Sequence, residues 1–193
     1  MTPHGPPQSD RAGMTTLDGA RAGSRDALAE LWRTHQAPVL RYLRAKRVGS
    51  PEDVASQVWI DVARSIDRFE GDADDFRRWL FTIAHRRSVD EVRRAVRRAG
   101  DPEVAPVPQE GADVEHERNG ALERAIEMVS QLPDNLAEAV MLRVVNDLSI
   151  ADVAAVMGTT EGNVRVLVHR GVTRLRRMMD VTDHARSTMK RVS

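Results

Sequence analysis

Cysteine is absent from all 193 residues, which excludes disulfides, zinc ribbons, iron–sulfur ligation and thiol nucleophiles together. A reducing compartment is compatible with that absence. Aromatic side chains are scarce, with three Trp, three Phe and one Tyr. Any core must therefore come mainly from aliphatic residues, the material of helix stripes. No apolar run approaches the ~18 residues of a membrane span, and Met1 to Ser24 lacks the apolar h-region of a secretory signal. A cytoplasmic chain without membrane insertion is expected. An excess of either charge is also missing, since 29 Lys and Arg balance 29 Asp and Glu.

The zero sum hides a distribution. Residues 24–99 hold 16 basic and 12 acidic side chains, residues 100–119 hold one and six, and residues 120–193 hold ten and nine. An acidic segment thus separates two basic or neutral ones, which leaves local basic faces open. The acidic segment, GDPEVAPVPQEGADVEHER, carries three prolines and two glycines. Pro removes backbone donors and like charges repel, so it reads as a flexible, extended linker. Residues 1–23, rich in Gly, Pro and small side chains without periodicity, read as disordered, and Met14 offers a second possible start. The expected organisation is an extension over 1–23, a helical domain over 24–99, a linker over 100–119, a second helical domain over 120–180 and a tail over 181–193.

In the first domain Ser24 is placed to cap a helix bearing Ala27, Leu28, Leu31 and Trp32. Pro38 is placed to kink or break it before Val39, Leu40 and Leu43. Ser50-Pro51-Glu52-Asp53 opens a second helix, with Ser as cap, Pro at the first position and acids in the first turn. Its apolar stripe is Val54, Val58, Val62, Ile66 and Phe69. After a loop at Gly71–Asp75, a long helix is expected from about Phe76 to Arg98. Arg86, Arg87, Arg93, Arg94, Arg97 and Arg98 project from it within an arc of about 140° at ~100° per residue. That ladder reads either as a nucleic-acid face or as a solvated face paired with Asp90 and Glu91.

The second domain contains a short helix opened by Ser149, a turn at Gly158-Thr159-Thr160, and a basic helix from Glu161 to about Met178. This is a helix-turn-helix pattern, whose other reading is an ordinary helical hairpin with a charged outer face. Val164, Val168, Gly171 and Leu175 make the inner stripe of the last helix. Asn163, Arg165, Val166, His169, Arg170 and Arg174 are its candidate DNA-reading residues, and Val166 is placed to meet a thymine methyl. The fold class expected is all-α, with two small helical domains joined by a flexible linker and a C-terminal helix-turn-helix.

Put in order, the segments resemble a bacterial RNA polymerase sigma factor of the extracytoplasmic-function (ECF, group IV) family over residues 24–180. The strings that carry the resemblance are DDFRRWLFTIAHRRSVDEVRRAVRR, SPEDVASQVWIDVARSIDRFEG and QLPDNLAEAVMLRVVNDLSIADVAAVMGTTEGNVRVLVHRGVTRLRR. The resemblance implies core RNA polymerase and promoter DNA as partners, an anti-sigma factor as a further one, and no small-molecule substrate. It places polymerase contact at Asp53, Gln57, Val58 and Trp59. It places the −10 promoter element at Phe76, Trp79 and the six ladder arginines, and the −35 element on the last helix. Gly71–Asp75 resembles the segment that captures a flipped −10 base; its other reading is an acidic turn capping the next helix. Trp79 likewise reads either as a base-stacking ring or as a core anchor. Two departures from the family pattern stand out, Ser56-Gln57 in the polymerase helix and Val166-Leu167 in the last helix.

The histidines show no metal spacing, and no phosphate-binding glycine loop, catalytic triad or paired catalytic carboxylates occur. Neither metal, cofactor nor enzymatic activity is expected. Two other classes stay open on the residues alone: a helix-turn-helix regulator acting on duplex DNA without polymerase, and an adaptor binding only protein through the Val54–Phe69 stripe.

Overall fold

The computed structural model describes residues 16–99 and 119–189, and among these it is all helix without a strand. The expected linker lies outside the described residues except for Asn119, as do residues 1–15 and 190–193. Residues 16–21 form a short helix, α1, where composition predicts disorder through residue 23. The reason is its Leu17 and Ala20, spaced i, i+3 and both buried.

Helix α2 spans Arg25–Ala45, with the Ser24 Oγ accepting from the Ala27 N–H at 3.3 Å. Pro38 lies inside it without ending it. Leu31 before the proline and Val39, Tyr42 and Leu43 after it are all buried. Burial on both sides outweighs the ~3 kcal/mol penalty of an interior proline. Helix α3 spans Pro51–Ser65, and its start departs from expectation because Ser50 makes no side-chain cap; Pro51, Glu52 and Asp53 define it instead. A 3-10 turn at Ile66–Arg68 leads to helix α4, Ala73–Ala99, which begins earlier than the sequence pattern indicates. The Asp72 carboxylate accepts from the Asp74 and Asp75 N–H groups, both at 2.9 Å, and Asp75 accepts in return from the Asp72 N–H at 3.3 Å. This reciprocal cap fixes the start of α4.

The second half holds α5 (Asn119–Ser130), α6 (Asp134–Val140) with a π-helical turn at Met141–Val145, α7 (Ile150–Met157) and α8 (Glu161–Met189). The Ser149 Oγ accepts from the Asp152 N–H at 3.1 Å and caps α7. Gly158 ends it at φ 63°, in the left-handed region, and this sets the bend between the two helices of the motif. Gly171 lets α8 seat on α6: an added Cβ there would lie 2.6 Å from Val140 Cγ2. Helix α8 continues past the expected end near Met178 and through the first nine residues of the expected tail.

The two halves meet in a polar seam that the sequence reading does not anticipate. Glu138 of α6, only 4% exposed, accepts from Tyr42 Oη at 2.5 Å and from Lys46 Nζ at 2.7 Å, and lies 2.6 Å from His85 Nδ1. Around this centre Arg47 pairs with Asp134 at 2.7 Å and Arg78 with Asp152 at 3.3 Å. The first half supplies the bases and the second the acids. Burial pushes the Glu138 carboxyl up, but the His85 hydrogen bond and the Lys46 charge outweigh it and hold the carboxyl down at about 2. The same burial and the Glu138 charge raise the Tyr42 phenol well above its ordinary value.

Candidate nucleic-acid interface

Helix periodicity places all six arginines of α4 on one arc, and the acids around them divide that arc into two stripes. Arg87 makes a two-pronged contact with Asp61 of α3, both bonds at 2.6 Å; this contact raises the Arg87 pKa further. Arg98 pairs with Glu91 at 2.5 Å and Arg94 with Glu91 at 3.7 Å. Arg86, Arg93 and Arg97 are exposed and make no ion pair among the described residues. They recur at i, i+7 and i+11, within about 40° of one another. The paired stripe therefore faces α3, and the unpaired stripe faces solvent.

The paired stripe lines a cleft of about 450 Å³ between α4 and the start of α3, to which Ser50, Asp53 and Gln57 also contribute. Asp53 and Gln57 are exposed there. Ser56 is exposed too, its hydroxyl donating to the Glu52 carbonyl at 2.9 Å. Val58 and Trp59 are placed otherwise than expected. Val58 is 0% and Trp59 8% exposed, and the Trp59 indole N–H donates to Gln36 Oε1 at 2.5 Å. Both belong to the inward stripe that holds α3 on α2, because positions i and i+4 from Val54 point the same way and Trp59 borders them. The polymerase-facing candidates on α3 are thereby reduced to Asp53 and Gln57.

At the other end of α4, Phe76 is 1% exposed and is likewise a core residue. Trp79 is half-buried and stacked on Phe69, with ring centroids 4.9 Å apart, and Phe69 meets Phe76 edge-on at 5.9 Å. His35 closes the cluster against Phe76 at 5.4 Å. Burial, then the Arg77 charge, lowers the His35 imidazole to about 4. The Gly71–Asp75 segment beside this cluster, shorter as a loop than expected because Ala73–Asp75 form the first turn of α4, is exposed at Gly71, Asp72 and Asp74. Its capping role is geometric fact, and two of its acids also pair with arginines of α4, Asp74 with Arg77 at 3.1 Å and Asp75 with Arg78 at 2.7 Å.

On α8 the inward stripe is as expected, with Val164 and Gly171 buried, Val168 and Leu175 half-buried, and Leu167 beside them also buried. Asn163, Arg165, Val166, His169, Arg170 and Arg174 are all exposed, Val166 at 44%. Arg165 pairs with Glu161 at 2.7 Å, and the Asn163 amide donates to Thr159 Oγ1 at 2.9 Å. Of the Val166-Leu167 departure, only Val166 faces outward.

Sequence reasoning misses the seam residues Tyr42, Lys46, His85 and Glu138. A signal was there in Glu138, an acid flanked on both sides by small apolar residues in Leu136-Ala-Glu-Ala-Val140, where a solvated face has more polar neighbours. It also misses Arg21, whose guanidinium lies 5.2 Å from the Phe69 ring centre and donates to the Gly71 carbonyl. Among the described residues, no group of three or more His, Asp or Glu is arranged to hold a metal ion, and no helix is long and apolar enough to cross a membrane.

Comparison with known proteins matches the chain to a family. Residues 31–98 match the model of sigma-70 region 2, and residues 122–175 that of sigma-70 region 4. The ECF RNA polymerase sigma factor SigD of Mycobacterium tuberculosis is 34% identical over 168 residues, covering 81% of this chain and 79% of that protein. The ECF RNA polymerase sigma factor BldN of Streptomyces coelicolor is 32% identical over 184 residues, covering 89% and 67%. Among solved structures, CnrH in complex with the cytosolic domain of CnrY aligns with a TM-score of 0.61 at 20% identity, covering 88% of this chain and 98% of that one. The sigma factor RpoE in complex with the anti-sigma factor NepR from Bartonella quintana aligns with a TM-score of 0.60 at 23% identity, covering 78% and 97%. These structural likenesses show a shared all-helical fold.

Proposed function

Because the chain belongs to the ECF family of RNA polymerase sigma factors, we propose that it binds core RNA polymerase and directs it to promoters. The observation that carries this reading is the presence of both sigma regions, in order, on one chain. In this reading the chain performs no chemistry. The polymerase carries out phosphoryl transfer in the cytoplasm, and this protein supplies position and DNA contact.

The work divides among three surfaces. Asp53 and Gln57, exposed at the cleft between α3 and α4, take the polymerase. The unpaired stripe Arg86, Arg93 and Arg97 follows phosphates at the −10 element, and the Gly71–Asp75 loop takes a flipped base. The outer face of α8 reads the −35 element in the major groove, with Arg165 and Arg170 suited to guanine edges and Val166 to a thymine methyl. Domain boundaries near 24–99 and 120–180 fit this division, with residues 100–119 joining them. An anti-sigma factor is the further partner proposed, on the likeness to a fold that is captured with one.

Purified chain added to core polymerase should give promoter-dependent transcripts and co-elute with the enzyme. Asp53→Arg should abolish co-elution while leaving the helical circular dichroism intact. Binding to a promoter duplex without any association with core polymerase would support the free helix-turn-helix regulator instead.

A further inference from the structure

We infer that Arg21 is a positioning residue for the Gly71–Asp75 loop, so that helix α1, ahead of the segment matching sigma region 2, clamps the base-capturing loop in its reading conformation. The inference rests on the role proposed for that loop. One guanidinium makes three separate contacts. It pairs with Asp18 of its own helix at 2.8 Å, donates to the Gly71 carbonyl fifty residues later, and lies over the Phe69 ring at 5.2 Å. Helix α1 is anchored in turn. Leu17 and Ala20 are buried, and Gly19 lies so close to α2 that an added Cβ would stand 3.0 Å from Ala27 Cβ.

The loop needs such a tether. Gly71 sits at φ 143°, a conformation side chains rarely adopt, and a Cβ there would meet the Asp75 side chain at 2.6 Å. Asp72 and Asp75 hold the α4 side of the loop by their reciprocal cap. Arg21 holds the Gly71 side, and it does so through a charge-assisted hydrogen bond, the stronger kind. Phe69, under the guanidinium, stacks on Trp79. Arg21 therefore closes the outer end of the aromatic cluster and fixes the backbone next to it in one stroke. A planar fork is needed for both at once, and a lysine ammonium supplies only the charge.

The test uses the full chain with core polymerase and forked DNA carrying each of the four bases at each −10 position. Arg21→Met keeps the length and removes the donors; Arg21→Lys keeps the charge and loses the fork. Arg21→Met should speed amide exchange at residues 71–75 and narrow base discrimination at the captured position by about tenfold, the size of one lost charge-assisted hydrogen bond. Core-polymerase affinity and binding to a −35 duplex should stay at wild-type values, and Arg21→Lys should recover part of the discrimination. Unchanged exchange in Arg21→Met overturns the inference, and so does faster exchange with discrimination intact. Asp74→Ala alters the loop while leaving Arg21 in place. If it narrows discrimination and Arg21→Met does not, the clamp fails and the loop's role stands; if neither does, the loop's role fails and the clamp with it.

Discussion

Helices α4 and α8 carry arginines on one outward face each, yet they leave different amounts of that charge available. On α4, Asp61 and Glu91 engage Arg87, Arg94 and Arg98, so half the ladder is paired, two acids balancing two of its six charges. On α8, among the described residues, the one ion pair of an outward candidate is Arg165 with Glu161, inside the same helix. The difference follows from where the acids lie. Arg87 of α4 meets Asp61 of the neighbouring α3, while Arg94 and Arg98 share Glu91 of their own helix; among the described residues, no acid of another helix pairs with the outer face of α8. The number of arginines on a face is thus a poor measure of the charge it offers; what counts is whether an acid lies within reach, on the same helix or on a neighbour.

The most severe test of that contrast splits the ladder. Arg86→Ala, Arg93→Ala and Arg97→Ala together should lower the slope of log K against log salt for promoter binding by about 2–3, at ~0.7–0.9 per phosphate contact. The counterpart variant, with Arg87, Arg94 and Arg98 replaced, should change the slope less. It should also lower the melting temperature, because Asp61 and Glu91 lose their partners. Equal slopes from the two variants would erase the difference between the stripes.

On α8, Arg165→Ala should weaken binding to a −35 duplex by about 1–3 kcal/mol if the guanidinium meets a guanine edge. Glu161→Ala, which frees the same guanidinium, should tighten binding by a smaller amount. A loss of affinity in Glu161→Ala would mean that the pair orients Arg165 instead of restraining it. How firmly α8 is seated is tested at Gly171, where a methyl group has no room against Val140. Gly171→Ala should cost about 1–2 kcal/mol of folding stability in denaturant titration. Wild-type stability would show that α6 and α8 separate easily.

A further effect is a pH dependence set by His35 of α2, which packs on Phe76 of α4. His35 is held near pKa 4, below its ordinary 6.5, so above pH 6.5 both the folded and the unfolded chain keep it neutral. Between 6.5 and 4 the unfolded chain takes up the proton first, and stability falls as pH drops. His35→Phe should flatten the melting-temperature profile in that window and leave it parallel to wild type above pH 7. The contribution of Glu138 lies lower: it is present above its ordinary 4.5 and lost as pH falls toward about 2. A wild-type slope between pH 6.5 and 4.5 in His35→Phe would remove the buried imidazole as its cause.

The elements most legible in the sequence were those governed by local chemistry. Ser24, Ser149 and Gly158 act where their side chains or backbone freedom predict, and the period of α8 sorts its inner and outer faces correctly. Legibility ends where a decision depends on another element. Val58, Trp59 and Phe76 sit on helices with two candidate partners, the rest of this chain or something outside it, and periodicity alone does not say which one wins. Arg87 finds its acid 26 residues back, on a helix whose angle no local pattern reveals. Pro38, placed by propensity to kink or break the helix, is an interior residue because both flanks are buried. The short α1, set in composition typical of disorder, owes its order to Leu17 and Ala20 meeting a core they do not themselves make.

The Glu138 seam gives the closed arrangement of the two halves a free energy of its own. Parting them would return a thrice-partnered carboxylate, a phenol and an ammonium to water and break the flanking Arg47 and Arg78 pairs. By linkage, any partner that engages the halves apart binds more weakly than its contacts alone would allow, by a factor of ten for each ~1.4 kcal/mol the seam holds. A partner that engages them together meets no such penalty. One buried carboxylate therefore weights every binding equilibrium of this chain according to the spacing its partner demands.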